Sequence, residues 1–204
     1  MTVFASLFLL AVTPLLGNSE SVIGENATAK EIVACCRSTI PSNVEISGHI
    51  NRRSRHGVSV AAYRYNLKRI NGETSLEVFN KEGEKVSFEK GGRLLDTDVT
   101  WSDLTLDYLW WGDYAIDAEK DGESVQTISC KVIVFRQAAR EVRVWIDPKT
   151  GALVQAEESE NGKVTRRLFG TSIKKFGDRW APHNIEVGTP GSKYRTKIVI
   201  DELK

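Results

Sequence analysis

Residues Arg140 to Lys204 hold five consecutive β-type segments, each closed by a turn that its own residues specify. Glu141 to Ile146 alternates, with Val142, Val144 and Ile146 on one face and Arg143 and Trp145 on the other. Asp147-Pro148-Lys149-Thr150-Gly151 then turns the chain, Pro presetting φ and Gly able to take φ > 0. Leu153 to Glu160 runs back to Asn161-Gly162, the strongest short hairpin signal in a sequence. Val164 to Phe176, Trp180 to Val187 and Tyr194 to Leu203 follow, separated by Gly177-Asp178 and Thr189-Pro190-Gly191-Ser192. A run of this kind can only be an antiparallel meander, and the rest of the fold must be built around it.

The upstream chain supplies more strands and two helices. Thr28 to Ile40 reads as a helix, with Ile32, Cys36 and Ile40 on one apolar stripe and Pro41 ending it. Val44 to Ile50 and Val58 to Leu67 alternate as strands, and Asn71-Gly72 turns into Ser75 to Asn80, with Lys85 to Lys90 beyond. Thr100 and Asp103 have the spacing of a capping box, which predicts a second helix running to Trp111 and stopped by Gly112-Asp113. Three of the five Trp, Trp101, Trp110 and Trp111, lie in that segment with Leu104, Tyr108 and Leu109. Ser124 to Arg136 resumes the sheet, with Ile128, Cys130, Val132 and Val134 on a shared face. So long a twisted antiparallel sheet must curl, and two apolar helices are available to cover its inner face. The expected class is mainly β (α+β), a strongly curved antiparallel sheet forming an unclosed half-barrel lidded by helices.

At 204 residues the chain suits one domain, assigned to 30–204 behind a flexible lead-in over 18–29. Val3 to Leu16 is almost continuously apolar, the length of a signal-peptide core and too short to span a bilayer, so 1–17 reads as an export signal. Net charge is +1, from 28 basic and 27 acidic residues spread along the chain, which leaves no electrostatic footprint for nucleic acid. The local cluster Arg52-Arg53-Ser54-Arg55-His56 reads as a solvated turn. Asn26-Ala27-Thr28 is a formal glycosylation sequon, meaningful only in a eukaryotic secretory setting.

Five stretches in this order resemble the LolA-like family of periplasmic lipoprotein carriers, in its outer-membrane lipoprotein-sorting branch. They are Asp103 to Trp111, Val142 to Asp147, Glu160 to Lys163, Gly177 to Pro182 and Thr196 to Asp201. The resemblance implies an unclosed barrel whose helices lid a hydrophobic cavity that shields acyl chains of lipids or lipoproteins. It also implies an inner-membrane exporter or an outer-membrane acceptor as a partner, and a periplasmic site of action. The founding carriers place an Arg near the cavity after a Lys-Arg-Pro junction. Here Lys68-Arg69-Ile70 lacks the Pro, and Arg69 is not carried over as a site.

Catalysis has little to work with. His49, His56 and His183 are isolated, and neither a nucleophile elbow nor a His pair at metal-ligand spacing occurs. The reading is a non-enzyme without cofactor or metal. Trp101, Leu104, Tyr108, Leu109, Trp110 and Trp111 are the candidate lipid-binding and lid residues. Aromatics at helical spacing also serve as plain core, and that reading stands beside the first. Cys36 and Cys130 are the candidate disulfide, leaving Cys35 free; three buried thiols are the alternative. Besides a carrier, the same half-barrel would suit a periplasmic sensor or adaptor that binds a protein or lipid signal. An outer-membrane barrel is disfavoured, because Arg166-Arg167 and Lys174-Lys175 put charge on both strand faces.

Overall fold

A computed structural model describes residues 21–54, 56–177 and 179–204; the export signal read over 1–17 lies outside them. Helix α1 (Ala29–Ser38) opens the fold. Strands β1 (Val44–Ser54), β2 (Ser59–Ile70), β3 (Glu73–Phe79) and β4 (Lys85–Val86) come next. Helix α2 (Trp101–Thr105) and a 3-10 turn (Asp107–Trp110) interrupt them. The remaining strands are β5 (Asp113–Ile116), β6 (Ser124–Val125), β7 (Ile128–Ser129), β8 (Lys131–Gln137) and β9 (Arg140–Ile146). After them come β10 (Leu153–Glu160), β11 (Lys163–Phe176), β12 (Arg179–Gly188) and β13 (Tyr194–Leu203).

Eleven strands form one antiparallel sheet in the order β4-β3-β2-β1-β13-β12-β11-β10-β9-β8-β5, and β6–β7 is a separate hairpin. Most pairs join strands consecutive in the chain; β8 instead pairs with β5 across the β6–β7 hairpin, and β13 returns to lie beside β1, so the two ends of the domain meet mid-sheet. The edges β4 and β5 do not pair, and the barrel stays open. The hairpin turns follow the predicted chemistry: Asn71-Gly72 and Asn161-Gly162 both take positive φ at both positions. Pro182 sits in β12 beyond its pairing with β13, which covers only Asn184 to Val187, so the missing N–H falls on a locally free edge.

The sheet is strongly curled. One apolar cluster joins Val78 of β3 to Ile133 and Phe135 of β8, together with Ile50, Tyr65, Val144 and Ile198. Those two strands are eight steps apart in the sheet, about 38 Å if it were flat, so curvature alone lets them share a core. Register shifts in β1, β10 and β11 supply local twist. At the first of them a side chain on Gly48 would lie 2.0 Å from the Val199 carbonyl oxygen and 2.8 Å from the Tyr65 ring, so only glycine fits.

α1 starts at Thr28, whose N–H donates to Glu31 Oε2 at 2.8 Å, and buries Ile32, Val33 and Cys36 in the concave core. Within the expected lead-in, Ile23 is buried and its N–H donates to the Pro148 carbonyl, while Val22 beside it is exposed. The second helix is also not the continuous one predicted over 100–111. It breaks at Leu106, which takes a left-handed conformation (φ 55°, ψ 32°). The apolar residues here do not share one helical stripe. The break lets Leu106, Tyr108, Leu109 and Trp111 all turn into the core.

The expected Cys36–Cys130 bridge is not present; all three cysteines are free thiols. Cys36 belongs to the concave core, whereas Cys130 belongs to a small outer cluster with Val132, Trp145 and Val154, packed against Val125 and Ile128 of the β6–β7 hairpin. Alternation sets this outcome, since Cys130 and Val132 face away from Ile133 and Phe135, which share a core with α1. Burial pushes each of these two thiols up to about 12. Titration with a thiol reagent is expected to find three thiols per chain after denaturation without reductant; finding one would restore a bridge.

Candidate functional site

The segment from Trp101 to Trp111 lies over the concave face as a lid. Tyr108, Leu109 and Trp111 are buried in the core, and Leu104 is half-buried against it. Tyr108 and Trp111 meet edge to face at 6.5 Å. Trp101 packs instead against Phe88, with ring centroids 6.0 Å apart. Trp110 points outward, 48% exposed. Of the six candidates, four therefore share the concave core, and Trp101 and Trp110 stand at its margin and surface.

Three arginines from three different elements hold this lid. Arg37 of α1 donates from Nε to the Leu109 carbonyl at 2.7 Å. Arg69 of β2 donates from Nη2 to the Thr105 carbonyl at 2.8 Å and stacks on Trp110 at 5.0 Å. Both carbonyls end short helical turns, where no backbone N–H remains to satisfy them and cations are favoured. Arg140 adds a stack on Trp111 at 5.3 Å. Arg69 was passed over in the sequence because the Pro that marks the family position is missing. The usable signal was parity: it falls on the inward face with Tyr65 and Leu67.

Arg166 of β11 is the third holder and the most buried. Its Nη1 donates to Asp103 Oδ2 at 2.5 Å and to the Thr100 hydroxyl at 2.8 Å, both in the lid. Its Nε and Nη2 donate to Glu158 of β10, and Glu158 accepts a further bond from Arg140 at 2.7 Å. Asp103 also accepts from the Thr100 N–H at 2.6 Å, so the predicted cap residue doubles as an ionic link to the sheet. Burial pushes the Asp103 carboxyl above its ordinary value, although Arg166 pulls the other way. Burial raises Glu158 too, but Arg166 and Arg140 outweigh it and hold it below the usual range. The Tyr108 hydroxyl is pushed well up, by burial first and then by Asp103.

The closed lid leaves polar atoms unmatched. Asp103 Oδ1, Asp107 Oδ1 and the Tyr108 hydroxyl are buried without a hydrogen-bond partner. Such groups cost roughly 1–3 kcal/mol each. Two recesses lie elsewhere: a groove of about 510 Å³ lined by Glu45, Lys68, Glu77 and Lys204, and a hollow of about 550 Å³ beside Val22 to Ala27. Neither is lined by a lid residue. Among the described residues, no group of three His, Cys, Asp or Glu is placed to hold a metal ion. No helix among them is long and apolar enough to cross a membrane.

No known family profile and no curated protein matches this sequence. The fold, however, matches solved structures with 13% sequence identity. A LolA superfamily protein from Nitrosomonas europaea superposes with a TM-score of 0.66, covering 87% of this chain and 93% of that one. A DUF1329 family protein from Desulfovibrio piger gives 0.63 over 87% and 92%. A putative outer membrane lipoprotein-sorting protein domain from Vibrio parahaemolyticus gives 0.61 over 86% and 89%. The architecture is LolA-like, as the sequence resemblance implied.

Proposed function

We propose that this protein is a periplasmic carrier that shields acyl chains of lipids or lipoproteins between the curled sheet and the lid Trp101–Trp111. The observation that carries the reading is the lid itself. It covers a largely apolar face, yet it is fastened by arginine bonds to its backbone carbonyls and to Asp103, and keeps three buried polar atoms unmatched. Arg52 Nε, Thr171 Oγ1 and Ser172 Oγ are also unmatched, so what marks the lid is that three such atoms gather within one short segment. A segment that lifts away re-solvates them, which lowers the cost of opening. Shielding one 16-carbon chain then returns on the order of 10 kcal/mol gross. The LolA-like fold and the lipoprotein-sorting neighbour support the same reading, and export through 1–17 would deliver the chain to the periplasm. An exporter in the inner membrane and an acceptor in the outer membrane are the partners this role calls for.

The test is acyl-chain uptake read by Trp fluorescence. Palmitoylated peptide is expected to shift emission, because Trp111 borders the apolar face and Trp110 the lid surface. Arg69→Leu removes the bond to Thr105 and the stack on Trp110, and is expected to change the affinity at least about tenfold, the equivalent of one net hydrogen bond to a charged group. A folded wild-type protein whose emission ignores acyl ligands would overturn the carrier and leave the sensor or adaptor reading.

A further inference from the structure

Arg52 and Arg53, from the basic cluster that the sequence offered as a solvated turn, acquire company in three dimensions. Four of the large apolar side chains that the fold exposes, Val58 (63%), Val60 (46%), Leu95 (74%) and Tyr194 (38%), gather around the tip of β1–β2. Ser54 closes that tip by donating its N–H to the Val58 carbonyl, and pairs across the sheet with Tyr194. The Leu95 loop is tied to the same place. Tyr63 donates its hydroxyl to the Leu95 carbonyl at 3.0 Å, and Arg52 donates to the Asp96 carbonyl at 2.9 Å while stacking on Tyr194 at 4.2 Å.

Cations alternate with these apolar groups. Arg53 and Arg195 are exposed and lie directly opposite each other on neighbouring strands, with the exposed Lys193 beside them. Like charges placed so weaken a sheet rather than stabilise it. The pair makes sense where an anion comes between them. Phosphate alone would not call for Val58, Val60 and Leu95 around it. Apolar tips beside Arg53, Lys193 and Arg195, which outnumber the exposed carboxylate of Asp96 next to Leu95, match the boundary of a bilayer, where headgroup phosphates meet acyl chains.

We infer that this end of the molecule is a docking face for a membrane surface rich in anionic lipid. It holds the protein peripherally, at a site separate from the lid. Its occupant is the bilayer surface rather than a single acyl chain, so it does not depend on the carrier reading.

Vesicles of phosphatidylglycerol and phosphatidylcholine in equal parts provide the probe, with pure phosphatidylcholine as comparison, in a co-sedimentation assay on the full chain. The apolar stretch 3–16 is common to every protein compared, so differences among variants report the tip. Wild type is expected to favour the anionic vesicles and to lose binding as salt rises. Arg53→Glu with Arg195→Glu should lower binding at least about 25-fold, near fivefold for each cation lost. Val58→Asp with Leu95→Asp, both on exposed sites that the fold does not need, should lower it as well, whereas Lys85→Glu should not. Acyl-ligand fluorescence should be unchanged in the Arg53/Arg195 variant, which separates this face from the lid. Equal binding by wild type and the charge-reversed variant would overturn the inference. So would a wild type that ignores anionic vesicles, in which case an acidic protein is the better occupant.

Discussion

Arg166→Met is expected to destabilise the protein by about 3–5 kcal/mol, measured as the loss of unfolding free energy in urea near neutral pH. Met replaces the apolar stem of Arg though not the guanidinium, so packing alone predicts a small effect. The cost comes from what remains. Arg166 and Asp103 have side chains only 3% and 1% exposed, and Glu158 is 11% exposed. Without the guanidinium, Asp103 is a buried carboxylate with no cation, while Glu158 keeps only Arg140.

The pH dependence carries the same signature. Glu158 is held below its ordinary 4.5 in the fold, so its contribution is present above that value and lost as pH falls through the lower folded value. Asp103 is raised, which has the opposite sign: protonation favours the fold as pH falls through its elevated value. Removing Arg166 takes away a main support of Glu158's lowering and the chief force opposing Asp103's rise. The deficit of Arg166→Met should therefore shrink as pH falls toward about 4.5, and Asp103→Asn should restore part of it near neutrality. A loss below about 1 kcal/mol, independent of pH, would show that the cluster is solvated and that the lid is not fastened through it.

Much of this architecture was legible because it rests on local rules. The Asn-Gly turns, the alternation of Val142, Val144 and Ile146 against Trp145, and the Thr28 cap are decided by residues within a few positions of each other. What escaped depends on which face meets which. Cys36 and Cys130 both lie on apolar faces, and alternation separates faces without saying which one α1 will cover. The Leu106 break escaped for a related reason. A capping box starts a helix, but the sheet below decides how far the helix can continue before its apolar residues point the wrong way. The arginine holders left a fainter trace. Arg69 and Arg166 each sit at inward parity, Arg69 with Leu67 and Arg166 with Leu168. A charge at such a position signals a buried partner, and the partner, a lid carbonyl or Asp103, is distant in the chain.

Leu109→Asp is expected to detach the lid while leaving the sheet folded. Leu109 is fully buried in the concave core, and the carboxylate would enter apolar surroundings at a cost of several kcal/mol. Two responses are open to the chain: unfold the whole domain, or lift the segment that carries the charge. The hydrogen bonds between lid and body run through a few side chains, chiefly Arg37, Arg69 and Arg166, whereas the eleven strands are bonded to one another along their length. Lifting also returns Asp103, Asp107 and Tyr108 to water, which offsets part of the loss. The lid should therefore give way first. Trp emission should move to the red as Trp111 is exposed, limited proteolysis should cut between Trp101 and Gly112, and far-UV circular dichroism should keep its strand signal. The uncovered face should also bind a hydrophobic dye that the wild type does not. Cooperative loss of the strand signal together with the lid would mean that the segment is an inseparable part of the core, and a carrier that works by lifting it would no longer be tenable.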